Sequence, residues 1–224
     1  MTTRQKVFLL IALVFAVAYI ASIPAQPYAG SFAVKAVPVL TLSVLALITV
    51  AGLRGKLLFV ALLFCAGGDI ALALGEGQYF VIGLGLFLVG HVVYIVLFSR
   101  DLKLRKSRIP IAAVLVAFAI AVAVVLTPYL KDMMIPVYVY VVVITVMGIF
   151  AAFRGTASKV VLYGAVSFII SDTILAFNRF MVAVPGADYY VMVTYYLAQF
   201  LIVLGFLGEE KERATQPALE EDQQ

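Results

Sequence analysis

Apolar residues gather in eight long runs, Val7–Ile23, Phe32–Leu53, Leu57–Leu74, Tyr79–Phe98, Ile109–Leu126, Met134–Phe153, Val160–Met181 and Tyr189–Leu207, with short polar or Gly/Pro-bearing breaks between them. An α-helix needs about 20 residues to cross about 30 Å of hydrocarbon, and each run fits once tilt is allowed. The pattern therefore predicts eight membrane-spanning helices. Periodicity adds little, because helices packed among other helices and lipid are apolar all round. The breaks say more: Pro24 and Pro27 end the first run, Arg54-Gly55-Lys56 splits the second from the third, and Pro128 closes the fifth. After Gly208 come Glu-Glu-Lys-Glu-Arg and then a Gln/Pro/Glu-rich stretch, which buries too little apolar surface to fold. The chain thus divides into an eight-helix transmembrane domain, residues 1–208, and a disordered tail, residues 209–224.

Composition agrees with this all-α, polytopic reading. The 224 residues are 65% hydrophobic and 12% charged, with a mean hydropathy of +1.13, against about 45–50% apolar in soluble domains. No length is left for a soluble catalytic domain. The single cysteine, Cys65, lies inside an apolar run, so no intrachain disulfide or cysteine metal cluster is available and it packs as a small hydrophobe. The net charge of +4 points to nucleic acid only until the basic residues are placed. Threading the runs puts 13 of the 16 Lys and Arg on the side of the two termini, leaving Lys35, Lys131 and Arg179 on the other. Positive-inside bias then places both termini in the cytoplasm, in the cell membrane if the source is bacterial. Arg4 and Lys6 ahead of an apolar stretch and Ala21-Ser22 also resemble a cleavable signal peptide, but the stretch is at the long end for one and seven more runs follow.

Polar residues inside the runs supply the candidate chemistry. Asp69 closes Gly67-Gly68-Asp69 in the third run and Asp172 follows Ser171 in the seventh, both in the form small-Asp-x-x-Leu-Ala-apolar. An ionisable group in hydrocarbon is costly and faces a cavity or a partner. At about 1.5 Å per residue, Asp69 stands roughly 20 Å above the cytoplasmic end of its helix, and Asp172 stands at nearly the same height. The two can share a pocket. Tyr195, Tyr196 and Gln199 reach a similar level from the outer side, and Tyr195 and Gln199, four apart, share a face. Lys35, followed by Pro38, is placed to reach either carboxylate; His91 lies lower with Tyr94 on its face, and Asn178 lies above Asp172. Each has a plainer alternative. Lys35 can snorkel, His91 can bridge helices, Tyr138 and Tyr140 can anchor at the interface, and the aspartates can form a structural pair. The two aspartate runs cross in the same direction, which suggests a duplication of four plus four helices. Small residues around Asp69 and in the fourth run permit close helix approach, and Gly83-Leu-Gly85 is packing rather than a nucleotide loop because no strand precedes it.

At these residues the sequence resembles the YhhN-like membrane proteins, a family that includes lysoplasmalogenases of bacteria and animals. The resemblance runs through Lys35-Ala-Val-Pro38, Phe64-Cys-Ala-Gly-Gly-Asp69, Tyr79 to Gly83 and on through Phe87 to His91-Val-Val-Tyr94, Tyr138-Val-Tyr140 to Met147, Gly164 to Ser171-Asp172, Asn178-Arg-Phe180 and Thr194-Tyr-Tyr-Leu-Ala-Gln199. Order and spacing carry it, since no single piece is specific. Gly68 and Arg179 depart conservatively from the usual small residue and Lys. The resemblance implies an eight-helix membrane hydrolase that splits the vinyl-ether bond of a lysoplasmalogen, giving an aldehyde and a glycerophospho-head-group.

Vinyl-ether hydrolysis needs an acid to protonate the alkene carbon and then a base to help water trap the oxocarbenium ion. Two carboxyl groups in unlike surroundings can divide those roles, and an ionised one stabilises the cation. Asp69 and Asp172 are the expected acid/base pair, with the division between them open. His91, Tyr94, Tyr138, Tyr195, Tyr196 and Gln199 are expected to bind substrate, Lys35 and Asn178 to meet its phosphate end, and neither a metal nor an organic cofactor is required. Expected partners are a lysoplasmalogen or related lysophospholipid and membrane lipid, with no nucleic acid; no signal sets the oligomeric state. A zinc hydrolase is weak with one histidine and no cysteine pair. An ion-coupled transporter or lipid-binding protein using the same buried groups is the alternative from another class.

Overall fold

The computed structural model describes residues 1–75, 77–156 and 158–221, the last six by backbone alone. Among these residues the chain is helical, without strands: α1 (Thr3–Ser22), α2 (Ser31–Thr49), α3 (Gly52–Leu74), α4 (Gln78–Ser99), α5 (Ile109–Leu130), α6 (Met134–Ala152), α7 (Val160–Phe180) and α8 (Ala187–Glu221). Seven stretches are long and apolar enough to cross a membrane, the fifth being Lys106–Ala152, which contains both α5 and α6.

Helix packing closes a ring. In order around it, α2 packs on α3, α3 on α4, α4 on α6, α6 on α7, α7 on α8, and α8 back on α2. Two helices stand outside, α1 against α2 and α8, and α5 against α6 and α7. They carry few buried residues, Ala12, Ala16 and Tyr19 on α1 and Leu115, Val122, Leu126 and Leu130 on α5. The ring contacts repeat when the first four helices are exchanged for the last four: α3 on α4 becomes α7 on α8, and α4 on α6 becomes α8 on α2.

Small residues set the tight pairs. A Cβ on Gly68 of α3 would lie 2.6 Å from the Phe87 ring of α4, and one on Gly164 of α7 would lie 2.9 Å from the Ala198 carbonyl of α8. Only hydrogen fits there. The α7–α8 pair is also stitched by hydroxyls, Ser167 donating to the Thr194 carbonyl at 2.7 Å and Ser171 to the Val191 carbonyl at 3.0 Å.

Three boundaries differ from the sequence pattern. The second break comes at Val50–Ala51, because Gly52 takes a left-handed φ of 65° and starts α3; Arg54-Gly55-Lys56 then belongs to the first turns of that helix. Pro128 lies inside the last turn of α5, and the chain turns at Lys131, whose φ is 45°. The region expected to be disordered beyond Gly208 continues α8 to Glu221, where Glu209 is buried against Arg154; the rest of that tail, residues 222–224, lies outside the described residues.

Candidate active site

Asp69 faces the ring interior from α3 and is 1% exposed. Its Oδ2 accepts a hydrogen bond of 2.6 Å from the Tyr195 hydroxyl of α8, and its Oδ1 lies 3.9 Å from Nζ of Lys35 on α2. Lys35 is itself buried, so the ammonium does not reach the outer surface by snorkelling. Local backbone chemistry helps hold this part of α2. Pro38 has no N–H to offer the Val34 carbonyl, and the next carbonyl, that of Lys35, accepts the Tyr196 hydroxyl at 2.8 Å. Tyr196 packs edge-on against Tyr19 of α1.

Asp172 projects from α7, the helix that replaces α3 under the exchange of halves. Its Oδ2 accepts the Tyr140 hydroxyl of α6 at 2.5 Å. No cation pairs with it among the described ion pairs. Asp172 is half-buried because it lines a cavity of about 60 Å³, whose walls are otherwise almost wholly apolar: Leu72, Phe80, Leu84, Ile144, Ile169 and Phe180 are among them. A cavity of that size holds a few waters at roughly 10–15 Å³ each, while a lipid chain requires its walls to part. Phe80 in the first turn of α4 and Phe180 at the end of α7 meet edge-on with centroids 5.8 Å apart, and the Arg179 guanidinium stacks on Phe80.

An aromatic layer separates and connects the two carboxyl groups. Phe87 of α4 and Phe168 of α7 meet edge-on at 6.2 Å, and both pack edge-on against Tyr195, the phenol that binds Asp69. His91 packs edge-on against Tyr140, the phenol that binds Asp172, and against Phe168. It is fully buried and neither ring nitrogen has a hydrogen-bond partner. One turn further along α8, Gln199 accepts the Tyr94 hydroxyl at 2.7 Å.

Of the residues singled out by sequence, the ring therefore gathers Lys35, Asp69, His91, Tyr94, Asp172, Tyr195, Tyr196 and Gln199. Two others lie apart. Tyr138 turns to α5, its hydroxyl 2.6 Å from Thr127 Oγ1, and lines an outer apolar groove. The Asn178 amide oxygen accepts the Val184 N–H at 2.9 Å and closes the turn after α7. Tyr140, whose place beside Tyr138 near a helix start suggests an interfacial anchor, is instead the partner of Asp172. The signal was available: residues two apart on a helix point to nearly opposite faces, and Ile144, Gly148 and Ala151 extend the Tyr140 side into a buried stripe. Among the described residues no three His, Cys, Asp or Glu side chains converge as metal ligands would.

Lysoplasmalogenase TMEM86A of Bos taurus is 35% identical over 158 residues, 66% of this chain and 63% of that protein. The lysoplasmalogenase of Mycobacterium tuberculosis is 35% identical over 162 residues, 69% of this chain and 62% of its own length. Human lysoplasmalogenase TMEM86B is 31% identical over 175 residues, 78% of this chain and 74% of that protein. The chain thus spans a little under two thirds of the first two relatives. No solved structure matches it. The YhhN family model matches residues 30–206, from the start of α2 to Phe206 in α8, and the chain belongs to the YhhN family.

Proposed function

We propose that this protein is a lysoplasmalogenase, which hydrolyses the vinyl-ether bond of a lysoplasmalogen to a fatty aldehyde and a glycerophospho-head-group such as glycerophosphoethanolamine or glycerophosphocholine. The observation that carries the reading is a pair of carboxyl groups in one ring interior, Asp69 buried and Asp172 half-buried, each gripped by a tyrosine hydroxyl and the second open to an apolar cavity. The relatives bearing that activity in their names support it.

The chemistry balances with water alone. A carboxyl O–H breaks as a C–H bond forms at the alkene carbon, and the ether oxygen feeds its electrons into the resulting oxocarbenium ion. Water adds to the cationic carbon and loses a proton to carboxylate. The hemiacetal then collapses: its C–O bond to glycerol breaks, the glycerol oxygen takes a proton, and the aldehyde remains. General acid–base assistance of this kind contributes about 10²- to 10⁴-fold, and an ionised carboxylate near the oxocarbenium ion stabilises it in a site that excludes water. Tyr195 and Lys35 fix one carboxyl, Tyr140 the other, and Tyr94 with Gln199 bounds the site on its cytoplasmic side. Membrane lipid is the surrounding solvent, and a source with a single cell membrane would carry the protein there.

The reading includes the topology. We take α1 to α8 as eight crossings with both termini, and the segment from Glu209, in the cytoplasm. Purified protein in lysoplasmalogen-containing micelles is expected to release aldehyde, and Asp69→Asn and Asp172→Asn, which keep shape and remove titration, are each expected to lower the rate at least about 100-fold. Wild-type aldehyde release from both variants, with normal insertion, would refute the assignment.

A further inference from the structure

The two carboxyl groups occupy corresponding places but unlike surroundings. Under the exchange of halves, Asp69 on α3 takes a cation from α2 and a phenol from α8, whereas Asp172 on α7 takes a phenol from α6 and shares its cavity with Phe80 and Phe87 of α4. Lys35 and Tyr140 thus stand on corresponding helices, one supplying charge and the other a single neutral donor. Exposure divides the same way. Asp69 is 1% exposed, while Asp172 is half-buried and lines the cavity together with Tyr140.

We infer that Asp172 is the carboxyl that meets the vinyl ether and delivers its proton, that Tyr140 is its positioning residue, and that Asp69 is a fixed countercharge held by Lys35 and Tyr195. The inference rests on the lysoplasmalogenase reading. Both Asp69 oxygens are engaged, Oδ1 by the ammonium 3.9 Å away and Oδ2 by the Tyr195 hydroxyl, which suits it to face a transient cation through the aromatic layer rather than to meet the alkene carbon. Among the described residues no cation pairs with Asp172, and one of its oxygens is occupied by Tyr140, so the other is aimed by that bond. The proton passes from Asp172 to the alkene carbon; the proton lost by the attacking water returns to Asp172. The phenol donates throughout and is not consumed. His91, packed edge-on against Tyr140, keeps the phenol ring in place.

Purified wild type, Tyr140→Phe and, as a lipid-facing control, Tyr163→Phe are compared for kcat and KM on a defined lysoplasmalogen. Tyr140→Phe removes one oxygen and is expected to lower kcat roughly 10- to 100-fold with KM within about 2-fold, the signature of a misaimed group. Tyr163→Phe is expected to match wild type. An unchanged kcat for Tyr140→Phe, or a loss confined to KM, overturns the inference. If Tyr140→Phe does not fold, as judged by its elution profile, a second comparison decides. Asp69→Asn joined to Lys35→Met, a neutral pair, is expected to retain at least about 10-fold more kcat than Asp172→Asn. The reverse order overturns the inference. Absence of aldehyde from wild type would instead remove the lysoplasmalogenase reading, so the two failures are distinguishable.

Discussion

Lys35 and Asp69 are both nearly shut off from solvent, and a buried ion pair owes little of its value to Coulomb attraction once desolvation is counted. What it does impose is a penalty for losing one member. Lys35→Met alone is expected to cost roughly 3–5 kcal/mol by stranding a carboxylate, while Lys35→Met with Asp69→Leu is expected to recover most of it. Thermal unfolding in detergent checks this. Gly68 makes a second test, because the Phe87 ring it touches is itself pinned by Phe168 and Tyr195 and has no room to retreat. Gly68→Ala should cost about 1–3 kcal/mol by overpacking, whereas Gly85→Ala, with open space at its Cβ, should leave the unfolding temperature unchanged. The aspartates were legible at this scale because a charge in an apolar run is conspicuous. Tyr140 was not, since a tyrosine near a helix end looks the same whether it anchors at an interface or turns inward; only the ring of neighbours distinguishes it from Tyr138.

Helices show a different division between what is local and what is not. Each run is apolar enough to identify itself, but apolarity cannot say which helices close the ring and which two lie outside it; that depends on where small and polar side chains let backbones approach. Ser167 and Ser171, one turn apart on α7, donate to carbonyls of α8 and fix the register that brings Tyr195 opposite Asp69. Ser167→Ala and Ser171→Ala are each expected to cost about 0.6 kcal/mol, with about 1.7 as an upper bound for such bonds in membranes, and denaturant titration in mixed micelles would measure it. Boundaries were least legible. Gly52 opens α3 through its positive φ, and Gly55 abuts the Val50 carbonyl, so the break precedes the basic cluster rather than falling on it. The tail composition promised no structure, yet Glu209 joins Arg154 and Arg154 joins Asp101, extending α8 beyond the apolar run.

At the scale of the whole molecule, charge and connectivity meet at one end of the bundle. Arg154 is buried between Asp101 of the α4–α5 connection and Glu209 of α8, with its guanidinium 4.1 Å from the Phe206 ring centroid, and Arg54 of α3 pairs with Asp101 as well. Burial pushes the Arg154 guanidinium down from its ordinary value, and Glu209 and Asp101 act to raise it, so the cluster ties four parts of the chain together at the basic face. The number of crossings depends on Lys106–Ala152. As one straight helix its 47 residues would extend about 70 Å, far more than the hydrocarbon thickness. The turn at Lys131–Met133 folds it back, and α5 packs on α6. Three helices then separate the α4–α5 connection from the α7–α8 connection, which puts the two on opposite faces; a single crossing there would put them on the same face. With Cys65→Ala as background, Lys106→Cys is expected to react with a membrane-impermeant maleimide only after the cells are opened, and Asp188→Cys, exposed at the start of α8, in intact cells. Labelling of both from the same side would reduce the bundle to seven crossings, and labelling of Lys106→Cys alone in intact cells would turn the molecule over.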